Sequence, residues 1–193
     1  MPDRLSSEEK KILLILARQA ISQAVNGEPL PPLDLKLFPE RLGRLGATFV
    51  TLMEDGELRG CVGALEAYQS LAEDVQEHAV AAALHDYRFN PVSVDEVPRL
   101  RIEVSRLTEP QPLIYTGEQD LLSKLRPGID GIILKDGLRR ATFLPQVWEK
   151  LPDPVEFLGH LCLKMGGPGN LWQCRPLRVF TYQVEEFCED EFC

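Results

Sequence analysis

The stretch Ala47-Thr48-Phe49-Val50-Thr51-Leu52-Met53-Glu54-Asp55-Gly56-Glu57-Leu58-Arg59-Gly60-Cys61-Val62-Gly63-Ala64-Leu65 reads as two strands around one turn. Residues 47–53 are rich in β-branched and aromatic strand formers. Asp55-Gly56 is a favoured pair for a two-residue hairpin loop, whose central residues take φ > 0. With that loop, Met53 faces Leu58, Leu52 faces Arg59 and Val50 faces Cys61. Side-chain alternation then puts Leu58 and Val62 on one face, and Arg59 and Cys61 on the other. Gly60 and Gly63 lack side chains, so another backbone or a ligand can come close to the returning strand.

Working outward, Ser6-x-x-Glu9 has the form of a capping box. Behind it, Ile12, Leu13, Leu16, Ala17, Ala20, Ile21, Ala24 and Val25 make an apolar helical stripe that stops at Asn26-Gly27. Residues 28–33 hold three prolines and read as a surface tether. Downstream, 71–84 has helical spacing and 100–107 alternates as a strand. A short helix is expected over 119–125. A second hairpin joins 131–135 to 138–144 through Asp136-Gly137, and helices are expected over 145–150 and 155–165. A last strand runs over 178–184. Hairpins mixed with helices in no βαβ rhythm predict an α+β fold, mainly antiparallel, with flanking helices. Asp55–Gly60 and Asp136–Arg140 echo one another, which shared turn chemistry explains without duplication.

The chain of 193 residues, 44% hydrophobic and 26% charged, has the balance of an ordinary globular protein. No apolar run reaches the ~20 residues of a membrane helix. No signal peptide is read at the start, and the expectation is a cytoplasmic protein off the membrane. The five cysteines, at 61, 162, 174, 188 and 193, have no paired spacing, so free thiols are expected rather than a disulfide framework. A net charge of −9 disfavours nonspecific nucleic-acid binding while leaving room for a local basic pocket.

Among chemistry-bearing residues, Cys61 leads. A guanidinium on the same face, from Arg59, favours the thiolate and makes the sulfur more nucleophilic. The competing reading is that Cys61 is a small apolar core residue. His85 suits a helix C-terminus as well as it suits a base for Cys61. The planar fork of Arg88 fits a carboxylate or phosphate, or an acidic side chain of the protein itself. Lys135, Arg139 and Arg140 form a basic cluster around the second hairpin, which either binds an anion or solvates a hairpin end. His160, Cys162 and Lys164 would splay apart on a helix, so no metal site is expected there, and no cofactor is called for. Gly166-Gly167-Pro168-Gly169 follows a helix and lacks the helix start that a phosphate loop needs. Cys188 and Cys193 belong to the acidic tail.

The segment Leu58-Arg59-Gly60-Cys61-Val62-Gly63 resembles the signature of the AMME chromosomal region protein family. Asp86-x-Arg88-Phe89-x-Pro91, Gly128-x-Asp130-Gly131, the run from Arg139 to Val147, and Phe157-Leu158-x-x-x-Cys162-x-Lys164 resemble further family segments in the same order. Val62 stands where many relatives carry Ile, and the glycine-rich run after Met165 departs in its loop. The likeness covers nearly the whole chain. It implies one family domain over 1–193, divided into two unequal lobes, a larger one from 1–110 with 176–188 and a smaller one from 111–175. It also implies that the signature strand lies near a cleft or interface between lobes. The partners it implies are a Memo-like protein and a radical S-adenosylmethionine enzyme. It carries no reaction with it.

Two functional readings follow. In one, the protein is an enzyme or enzyme component: Cys61 is the catalytic candidate, Arg59 an anion anchor, and Gly60, Gly63, Arg88 and Lys135 are ligand contacts for a small anion. In the other, the strand from Leu58 to Gly63 docks the partners without catalysis. A nucleic-acid module is a third reading, weakened by the charge and by the absence of interleaved aromatic and basic residues.

Overall fold

A computed structural model describes residues 4–192. Its first elements are helix α1 (Ser7–Val25), strands β1 (Leu45–Glu54), β2 (Glu57–Gly63) and β3 (Gln69–Ser70), helix α2 (Leu71–Leu84) and strands β4 (Arg101–Leu107) and β5 (Gln111–Pro112). Then follow α3 (Glu118–Lys124), β6 (Gly131–Asp136), β7 (Arg139–Phe143), α4 (Pro154–Lys164), α5 (Leu171–Cys174), β8 (Arg178–Tyr182) and β9 (Val184–Cys188). The fold is α+β, and β1 pairs antiparallel with β2, β3 and β4, as β6 does with β7 and β8.

The chain divides into two compact units. The first comprises Met1–Leu107 with Glu185–Cys193, and the second Thr108–Val184. In the first unit the strand order is β2-β1-β4-β9, with β3 also on β1. Both helices begin in capping boxes, Ser6 with Glu9 and Ser70 with Glu73, so each start is written locally. Their apolar sides cover one face of the sheet: Leu13, Ile21, Val75, Ala79 and Ala82 pack with Val50, Leu52, Ile102, Val104 and Phe187, all buried. The first hairpin turns at Asp55 (φ 51°) and Gly56 (φ 83°), as the Asp-Gly pair predicts.

In the second unit the strand order is β5-β8-β6-β7. Ile132, Leu134 and Val179 pack against Phe157, Leu158 and Leu161 of α4, and Trp148 stacks on Phe157 with centroids 3.7 Å apart.

Three expectations shift. Asp136 faces Arg139, so the second hairpin turns at Gly137-Leu138, with positive φ at Gly137 alone. The two hairpins therefore differ in loop chemistry, and their sequence echo is not a structural repeat. The final strand is two: β8 joins the second unit's sheet and β9 the first's, so residues 176–184, expected in the larger lobe, lie in the second unit. The glycine-rich run after α4 does open a helix, α5, but one of only four residues.

Candidate functional site

Cys61 sits on β2, at the end of its sheet, so one side of that strand has no strand neighbour. The partner of Cys61 is Thr51 rather than Val50. Pairing runs Thr51–Cys61 and Leu52–Gly60, then jumps to Met53–Leu58, which leaves Arg59 as the extra residue of a β-bulge. The core demands this register. Val50 and Leu52 are fully buried, and Val62, opposite Val50, packs against the same core, so Cys61 turns to the other face. There the Thr51 hydroxyl donates to its sulfur at 3.4 Å. Cys61 is half-buried, so the thiol is not sealed in the core.

Both signature glycines are explained by the protein's own backbone. A Cβ at Gly60 would stand 2.2 Å from the carbonyl oxygen of Ala82 on α2. At Gly63 it would stand 2.3 Å from the carbonyl oxygen of Thr48 and 2.5 Å from the Phe49 ring. Of the two approaches the sequence left open, the protein's own chain supplies these contacts, backbone at Gly60 and backbone with an aromatic ring at Gly63.

The cations are held differently from one another. Arg59 donates through Nε to Glu96 Oε1 at 2.8 Å and through Nη1 to the carbonyl of Asn90 at 2.9 Å. That guanidinium, helped by the Ser93 amide, pulls the Glu96 carboxyl from 4.5 down to about 2. Arg59 thus ties β2 to the loop after α2. Arg88 forms a fork on Asp86, with Nε to Oδ1 at 2.9 Å and Nη2 to Oδ2 at 2.7 Å, and Nη2 also reaches the carbonyl of Cys61 at 3.2 Å. Asp86 in turn accepts the amide of Cys61 at 2.8 Å. The Arg88 guanidinium holds the buried Asp86 carboxyl well below the ordinary carboxylate range, against the opposing effect of burial.

The outcome is a latch. Asp86 takes the outward N–H of Cys61 and Arg88 the outward C=O, so two side chains stand where a neighbouring strand would pair. Arg88 remains 43% exposed while Asp86 and the Cys61 carbonyl fix its position. The cation fixed beside the thiol strand is therefore Arg88, whereas Arg59 on the same strand is engaged by Glu96. His85 caps the C-terminus of α2 and is exposed. Lys135 lies in the second unit, its ammonium 4.9 Å from the Phe180 ring centroid. Arg139 pairs with Asp136.

Sequence reading passed over one buried cluster. Asp74, with no exposed surface, accepts from the Thr48 amide at 2.8 Å, the Thr48 hydroxyl at 2.6 Å and His78 Nδ1 at 3.1 Å. The i,i+4 spacing of Asp74 and His78 on the apolar side of a helix was the available signal. Among the described residues no group of three or more His, Cys, Asp or Glu is placed to hold a metal, and no helix is long and apolar enough to cross a membrane. Cys193 lies outside the described residues.

The latch joins two of the family-like segments, the signature strand and Asp86-x-Arg88, and a family model described as AMMECR1 matches residues 14–187, a span that contains both. The chain belongs to the AMMECR1 family. A protein of Methanothermobacter thermautotrophicus is 37% identical to this AMMECR1-family chain, covering 96% of it and 97% of the relative. One from Methanopyrus kandleri is 36% identical, over 99% and 93% of the two chains. The crystal structure of an uncharacterised protein from Pyrococcus horikoshii matches with a TM-score of 0.73 and 32% identity, over 96% of this chain and 94% of that one.

Proposed function

We propose that this AMMECR1-family protein acts through the Cys61 thiol, with Arg88 receiving an anionic group of the ligand. The supporting observation is that Arg88 is clamped by Asp86 against the backbone of Cys61 and yet keeps much of its surface open. A fixed, exposed cation beside a half-buried sulfur favours anionic reagents at that sulfur over neutral ones. Iodoacetate and iodoacetamide, applied to the intact protein and resolved by peptide mass spectrometry, test this directly. The ratio of the two alkylation rates at Cys61 is expected to exceed, several-fold, the ratio at the same cysteine in the urea-unfolded chain. It should fall toward the unfolded value in Arg88→Gln. Equal ratios in folded and unfolded protein, or a Cys61 that resists both reagents, would overturn the proposal.

The same reading makes the protein an enzyme or enzyme component of the cytoplasm, where its thiols stay reduced. It works in a pathway with the Memo-like protein and radical S-adenosylmethionine enzyme that the family resemblance implies. The rival reading, docking of those partners along the strand from Leu58 to Gly63, meets an obstacle at Cys61, whose outward backbone groups already have partners. Cys61→Ser separates the two: docking survives it, and thiol chemistry does not. Arg59→Glu is a poor discriminator, because it would set two carboxylates together at Glu96 and loosen the loop.

A further inference from the structure

The antiparallel register of the second unit puts Lys135 directly opposite Arg140 on β7 and directly opposite Arg178 on β8. Three cations thus form a row across neighbouring strands, on the face opposite the one carrying Ile132, Leu134 and Val179. Like charges opposite one another oppose sheet pairing. Lys135 and Arg178 stand out in a chain with a net charge of −9, where arginines such as Arg59, Arg88, Arg126 and Arg139 each find a carboxylate.

Lys135 and Arg178 have no carboxylate partner among the described residues. Both instead lie over the ring of Phe180, at 4.9 and 5.8 Å. A ring holds a cation through its quadrupole and leaves the N–H donors unused. These two cations are positioned without being neutralised, as an anion site requires. Arg178 and Phe180 also line a groove of about 390 Å³, together with Leu113, Ile114 and Leu177. Its walls are tied in place: the Tyr115 hydroxyl donates to the Leu177 carbonyl and accepts its amide, both at 2.8 Å, and the Leu113 amide donates to the Val179 carbonyl at 2.9 Å. A preformed apolar groove with charge at its rim suits a ligand that has an apolar body and an anionic end.

We propose that Lys135, Arg178 and Phe180 form a binding site for a small phosphate ester with a flat apolar body. Cations on directly opposed residues of neighbouring strands, whose backbones lie about 4.8 Å apart, can converge on the oxygens of one phosphate group. The body then lies in the groove against Leu113 and the exposed Ile114. The site stands independently of the thiol reading of Cys61.

Titration calorimetry on the full chain at low ionic strength tests it, with phenyl phosphate, inorganic phosphate and phenol as probes. Phenyl phosphate should saturate and bind more tightly than inorganic phosphate, and phenol should show no saturation. Lys135→Gln with Arg178→Gln should weaken phenyl phosphate at least tenfold. Without ligand, the double variant should melt no lower than the parent, because it relieves the like-charge pair. Four results would each overturn the proposal: no saturable binding of phenyl phosphate, inorganic phosphate binding as tightly, unchanged affinity in the double variant, or a double variant that melts lower and so marks the cations as structural.

Discussion

Replacing Gly60 with alanine drives a methyl group into the backbone of α2. The new carbon would stand 2.2 Å from the Ala82 carbonyl oxygen, about 0.8 Å inside the 3.0 Å below which such contacts are essentially never seen. The opposing atom is main chain in the last turn of α2, so no rotamer change relieves the clash, and strand and helix must separate. Overpacking of this kind costs about 1–3 kcal/mol, and the rigid partner argues for the upper end, about 3 kcal/mol. Gly43→Ala is the control. An added methyl there meets nothing within 4 Å and φ is not in the left-handed region, so it should be neutral or stabilise by about 0.4–1 kcal/mol through the unfolded state. Urea unfolding gives both numbers from the midpoint at constant slope. Because Cys61 follows Gly60 directly, the displaced strand should also alkylate faster at Cys61. A Gly60→Ala protein within about 0.5 kcal/mol of the parent would behave as a surface change does, and would refute the claim that β2 is pressed onto α2.

Acid titration reports on the Arg59–Glu96 pair. Glu96 is depressed from 4.5 to about 2 in the folded protein, so its stabilising contribution is complete above pH 4.5 and is lost as pH falls toward 2. Glu96→Gln should flatten that part of the stability profile, seen as urea midpoints measured between pH 2 and 6, and an unchanged acid limb would exclude the pair as its source. Asp74→Ala should destabilise by about 3 kcal/mol or more in urea, since it leaves the buried amide and hydroxyl of Thr48 without an acceptor. A disulfide-exchange reagent on native protein should modify exposed Cys174 first and Cys61 more slowly. Cys162 should wait for unfolding, because it is fully buried and burial raises its thiol pKa. Early loss of Cys162 would contradict the packing of α4.

The elements that a short window encodes were readable without coordinates. The box Ser6–Glu9 starts α1, Asn26 and Gly27 end it, and Asp55-Gly56 makes its turn, because each uses groups within a few residues of one another. The same window misled at the second hairpin. Aspartate and glycine again offered a loop, but pairing of Asp136 with Arg139 moved the turn one residue on. At β2 it misled by a single bulged residue, since burial of Val50 and Val62 sets the register and only the assembled core imposes that.

The candidate site divides along the same line. Composition and spacing alone singled out the candidates: a thiol flanked by glycines, a guanidinium two residues before it, and the forked group of Arg88. Where those groups point was settled by partners far along the chain. Glu96 lies 37 residues from Arg59, and Asp86 lies 25 from Cys61. Ala82 lies against Gly60, and Phe180 beneath Lys135. A charged side chain goes to whichever counter-charge the packed backbone brings within reach, and a glycine is needed wherever two backbones meet. Local sequence specifies neither meeting, because both exist only after helices and strands have closed around a common core.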